Sequence, residues 1–239
     1  MDFRWEDWES VDDARIRYVA EVSRAKSLAH TPTLVNSRMR ELLVDPAVRN
    51  AALRSDTGLR HLPRFWVGVW EALWGAPYDP ADAEAAAATA HFRGRQIAMT
   101  AGLHAEGAAV HAGTDTLMPY VAPGSSLHGE LADLRASGIP RDDVWRIATS
   151  DAGRFLGEAG LGALAVAAPA DLVFLKAPPA GDEAFWSHDD IAAVLADGRL
   201  YRRADLDDAL ARSDAHFHGP LYDGVMAGVV RVVRGTFAP

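Results

Sequence analysis

Asp115 is the residue of this sequence best placed to do chemistry. The run Gly107-Ala108-Ala109-Val110-His111-Ala112-Gly113-Thr114-Asp115-Thr116 is a short apolar stretch that ends in small residues and then one carboxylate. Such a pattern predicts a strand whose C-terminal end delivers an acid into a pocket, with small side chains where backbones crowd together. A carboxylate there can ligate a divalent metal, and it can accept the proton of a water that attacks a carbonyl carbon. It can equally be a strand-end Asp that caps the following turn. Thr114 and Thr116 flank it and either hydrogen-bond the carboxylate or simply favour an extended backbone.

The histidines are the other candidates. His128 falls on a predicted helix beyond the loop that follows Asp115, where it can contact substrate, order Asp115 as a hydrogen-bond donor, or pack against a neighbouring helix. His216-Phe217-His218 would put two imidazoles on one side of an extended segment, the usual spacing of a metal pair. It lies in the C-terminal tail before Gly219-Pro220, with no strand pattern around it, and is not taken as a site. His30, His61, His91, His104, His111 and His188 have no ligand-like spacing. His111, four residues before Asp115, is expected to sit in the wall of the sheet or to pack on a helix.

The elements that must position these residues follow from periodicity. Val11 to Ala25 carries apolar residues near helical spacing, with Ser10 able to cap its start. Leu28 to Val35 reads as a strand interrupted at its end by Pro32. From Ser37 to about Arg95 the pattern is helical, broken at Pro46, Pro63, Pro77 and Pro80, and Trp66, Trp70 and Trp74 recur at spacing four as a core stripe. A helix over Gly94–Gly107 leads into the Asp115 strand, and helices are expected near Ser126–Ser137 and Arg141–Leu156. Strands follow at Ala170–Lys176, Ile191–Ala196 and Arg199–Arg203, the last two joined by Asp197-Gly198, a type I′ hairpin signal. Leu206–Ser213 and Pro220–Val233 read as terminal helices.

Composition narrows the class. In 239 residues, 49% are hydrophobic and 24% charged, enough apolar material for a packed core. A net charge of −9 leaves no basic footprint for nucleic acid or an anionic membrane. With no cysteine, disulfides and thiolate metal sites are excluded, so any metal must be held by His, carboxylate, Lys carbamate or water. No apolar run reaches the ~18 residues of a membrane span, and Met1 opens on Asp-Phe-Arg-Trp rather than on a signal peptide. The expected location is the cytoplasm.

Taken in order, several short motifs carry a resemblance. After the Gly-Thr-Asp strand end come Pro123-Gly124-Ser125-Ser126-Leu127-His128-Gly129-Glu130-Leu131, Ser137-Gly138-Ile139-Pro140, Ile147-Ala148-Thr149, Phe155-Leu156-Gly157 and Ala170-Asp171-Leu172-Val173-Phe174-Leu175. Upstream lies Thr31-Pro32-Thr33-Leu34-Val35. Over residues 100–203 this series resembles the C-terminal part of the metal-dependent amidohydrolases, especially their imidazolonepropionase-like and Xaa-Pro dipeptidase-like members. The resemblance implies an α/β fold. Residues 1–158 would be part of a (β/α)8 barrel, its seventh and eighth strands with a helical insertion at about 37–95. Residues 159–203 would be part of a small β-sandwich, and 204–239 a helical tail. It implies a hydrolase of amide or dipeptide C–N bonds, with Asp115 as catalytic base and metal ligand, His128 near the substrate, and a divalent ion such as zinc.

The family's other ligands, a His-x-His on the first strand, a Lys or Glu on the fourth and His on the fifth and sixth, have no counterpart before Pro32. The expectation is therefore an incomplete site, completed by an N-terminal companion fragment or by self-association. The alternative is an inactive interaction or structural domain.

Overall fold

The computed structural model describes residues 8, 10–44, 46–55, 58–74, 83–116, 118–158, 160–177, 186 and 188–237. The first helix, α1 (Asp13–Ala25), turns Ile16, Ala20 and Ser23 inward. Its cap is Asp12, whose carboxylate accepts the Arg15 N–H at 2.7 Å, rather than Ser10. Then comes β1, which is only Ala29–His30. The expected strand to Val35 ends early because Pro32 has no N–H to pair and Thr33 adopts a left-handed φ of 49°, so α2 (Leu34–Val44) begins at once. Pro46 opens α3 (Pro46–Ser55), where a proline costs no helical hydrogen bond. A 3-10 turn at Leu59–His61 and Pro63 precede α4 (Arg64–Trp74). Pro77 and Pro80 lie outside the described residues.

The long α5 (Ala83–Ala105) absorbs the helix expected from Gly94. It packs on α1 at Gly102, where an added Cβ would stand 2.7 Å from Ile16 Cγ2. From α5 the chain enters β2 (Ala109–Val110), which pairs parallel with β1 in the register Ala29↔Ala109 and His30↔Val110. The ladder is carried one residue further by the His111 N–H, which donates to the His30 carbonyl at 2.8 Å. Two parallel strands with four helices between them among the described residues are the crossover arrangement a barrel is built from. Among the described residues only these two strands run parallel, and no barrel closes.

Beyond the Asp115 loop lie α6 (Ser125–Ala136), α7 (Arg141–Ala148) and α8 (Ser150–Phe155). The single helix expected over Arg141–Leu156 is broken at Thr149, with φ −130° and ψ −94°. The backbone of Leu161 and Gly162 presses against this break, and a Cβ on Gly162 would collide with the Thr149 carbonyl. The expected β-sandwich segment is one antiparallel sheet of β3 (Leu172–Leu175), β4 (Ile191–Ala196) and β5 (Arg199–Arg202). Its hairpin turns on Asp197 (φ 48°) and Gly198 (φ 73°), the two positive φ values a type I′ turn requires. Two helices close the chain, α9 (Arg203–Phe217) and α10 (Pro220–Phe237). In the expected tail, α10 lies along α4, with Val230 seated over Gly68.

Two apolar clusters hold this together. Leu34, Leu103, Val110, Leu131, Leu134 and Val144 join α2, α5, β2, α6 and α7. Val35, Met39, Trp70, Tyr120 and Val121 join α2, α4 and the Asp115 loop. Trp70 is 2% exposed and meets Tyr120 edge-on at 5.3 Å, and Trp66 packs against the same cluster, so these two tryptophans of the expected stripe are core. The side chain of Trp74 lies outside the described residues.

Candidate functional site around Asp115

Parallel strands leave both of their following segments at the same end. After β1 the chain turns into the first residues of α2; after β2 it runs through His111–Gly113 to Asp115. The two meet: the Asn36 side-chain amide donates to Asp115 Oδ2 at 2.9 Å. Gly113 is where the backbones crowd, since a Cβ there would run into the Thr31 methyl group. Asp115 itself is exposed, with φ 56°, and its carbonyl accepts the Met118 N–H at 3.1 Å. Its backbone closes a turn while its carboxylate stays open to solvent on one oxygen. Thr114 and Thr116 hydrogen-bond each other at 2.7 Å and not the carboxylate.

No protein-family model, curated protein or solved structure matches the chain. What the site can do must come from its own residues.

Among the described residues Asp115 has no second metal ligand beside it. Zinc in a catalytic site takes about three protein ligands, whereas here the neighbours are an amide and two hydroxyls. Among the described residues no group of three or more His, Asp or Glu side chains is arranged to hold a metal. The described residues alone do not fit the metal that the family resemblance implies. His128 is half-buried on α6, where its Nδ1 meets the Trp186 carbonyl at 3.2 Å, and no hydrogen bond joins it to Asp115. Burial lowers its pKa, only partly offset by that carbonyl.

Several of the other histidines serve packing and pairing, while His91 is exposed on α5. The His111 ring lies 4.5 Å from that of Phe155 on α8, with neither nitrogen hydrogen-bonded, which places it against a helix as expected. It lines a groove of about 520 Å³ along the outer edge of β2, with His104, Asp143, Arg146 and Ile147. His30 bonds the Ser23 hydroxyl at 2.8 Å, and His61 bonds Asp214 at 2.8 Å. His216 and Phe217 end α9, so the His-Phe-His run is helical at its start and its imidazoles do not share a side as in a strand.

Two residues near the site escape sequence reasoning. Asn36 gave no signal, because its partner lies 79 residues away. Glu130 stands inside the Leu-His-x-Glu-Leu motif, yet nothing in the sequence says that it is fully buried. Its Oε2 accepts the Val35 N–H at 2.7 Å, so α6 caps the first turn of α2. Burial pushes its carboxyl up to about 7, against the pull of the Val35 and Leu34 N–H groups; Asp133 pushes it further up and Arg38 down. Asp133 is itself buried and bridges Arg38 at 3.2 Å and Arg93 at 3.1 Å, tying α6 to α2 and α5.

Proposed function

We propose that this chain supplies one acidic group, Asp115, to a hydrolase of the amidohydrolase type, acting on amide or dipeptide C–N bonds. The observation that carries this is the meeting of Asn36 and Asp115 where two parallel strands end, the place where barrel enzymes assemble their chemistry. There Asp115 takes the proton of the attacking water on its open oxygen, and Asn36 holds the other oxygen so that the carboxylate cannot rotate freely. The ordered motifs from Gly113 to Leu175 support the same descent. The remaining groups of the centre, metal ligands included, would come from residues outside this chain, in a companion polypeptide.

A second reading is an interaction domain without catalysis. It is favoured by the outer face of α10, where Leu221 (83% exposed), Val225 (61%) and Val232 (68%) form an apolar stripe on the side away from α4.

The test is hydrolysis of N-acyl amino acids, dipeptides and cyclic amides by the protein isolated from its own cells together with any chains that remain bound to it. Turnover that is lost in Asp115→Asn, with the assembly intact, supports the hydrolase. Equal turnover in the variant overturns the role of Asp115. An assembly with no turnover on any substrate favours the interaction domain.

A further inference from the structure

Glu130 and Asp115 never touch, yet one turn of helix joins them. The Glu130 carboxylate receives the Val35 N–H at 2.7 Å, and Asn36, the next residue, reaches Asp115 at 2.9 Å. The turn between them is stiff: the Asn36 N–H donates to the Thr33 carbonyl at 3.0 Å and the Ser37 hydroxyl to the Leu34 carbonyl at 2.8 Å. Gly129 lets α6 approach closely enough for the clamp, since a Cβ there would lie 3.0 Å from Val35 Cγ2 and would strike the Arg38 guanidinium. Thr33, at the mouth of α2, has a left-handed φ that a threonine adopts only when its surroundings enforce it. The clamp from α6 is one such enforcement.

We propose that Glu130 is a positioning residue for Asp115: by seating the first turn of α2 it fixes Asn36, and through Asn36 the orientation of the Asp115 carboxylate. An ionised carboxylate accepts a backbone N–H more strongly than a neutral acid and suits the positive end of a helix. Protonation therefore loosens the turn and lengthens the Asn36–Asp115 contact. The charged groups facing Glu130 are Asp133 on its own helix and Arg38 on α2; Arg93 of α5 reaches Asp133. His128, two residues away, is turned to the Trp186 carbonyl. That Asp115 performs chemistry rests on the function proposed above; its linkage to Glu130 does not.

The linkage is read by NMR on the full chain, without turnover. The Val35 backbone amide and the Asn36 side-chain amide, the latter assigned through Asn36→Ser, are followed from acid to alkaline pH. Both signals should shift together with one midpoint near neutrality, and both shifts should vanish in Glu130→Gln. They should persist in His30→Gln and His128→Gln, and Glu130→Asp, an acid on a shorter arm, should move the midpoint. In Asp115→Asn the Val35 shift should remain while that of Asn36 collapses. A Val35 shift with a silent Asn36 would make Glu130 a helix clamp only. Absence of both shifts, or their survival in Glu130→Gln, overturns the proposal.

Discussion

Replacing Glu130 by glutamine should reshape the pH dependence of stability in a direction that the structure fixes. The folded chain holds the Glu130 proton up to about 7, whereas the unfolded chain releases it near the ordinary 4.5. Between those values the folded state binds more protons, so this group's contribution to stability is fully present below about 4.5 and is lost as pH rises through about 7. At about 1.4 kcal/mol per pH unit, wild type should lose about 2.5 kcal/mol relative to Glu130→Gln between pH 5 and pH 8. Glutamine is nearly isosteric, and its carbonyl can still accept the Val35 N–H, while its NH2 group enters a site where Glu130 Oε1 has no partner. That constant penalty, about 1–3 kcal/mol, offsets both ends equally and drops out of the comparison. Urea unfolding of both proteins at the two pH values, with unchanged m-values, measures the difference. Parallel curves within about 0.5 kcal/mol would mean that Glu130 titrates as if in solvent. A wild type that gains on the variant as pH rises would mean that the helix terminus outweighs burial.

Other perturbations have equally definite outcomes. Asp115→Asn alters an exposed side chain and should change stability by less than about 0.5 kcal/mol in calorimetry, whatever it does to turnover. Leu134→Ala removes a side chain with 0% exposure and should cost about 2–5 kcal/mol by chemical denaturation. Gly162→Ala puts a methyl group against the Thr149 carbonyl at a φ of 73° and should cost at least about 2 kcal/mol; an unaffected midpoint would mean that the α7–α8 break is not held by that loop. Zinc added to the isolated chain should leave its melting temperature unchanged, because Asp115 has no companion ligand among the described residues; a rise lost in Asp115→Ala would refute that.

Local patterns settled most elements and very few contacts. Apolar spacing located α1, α6, α9 and α10 to within a few residues, because a helix face is written into a short window of sequence. Asp197-Gly198 fixed its hairpin because few residues accept two positive φ values. The strands at the site are shorter than their side chains suggest: Leu34 and Val35 have strand-like side chains, but Glu130 offers the Leu34 and Val35 N–H groups a partner, and the helix wins. The break at Thr149 is likewise imposed by a loop that arrives later in the chain. Asp115 was legible as a candidate, since small residues before an acid describe its own neighbourhood. Its hydrogen bond to Asn36, its solvent exposure and the burial of Glu130 depend on residues 79 to 95 positions away, and only the packing of α2 against α6 and β2 decides them.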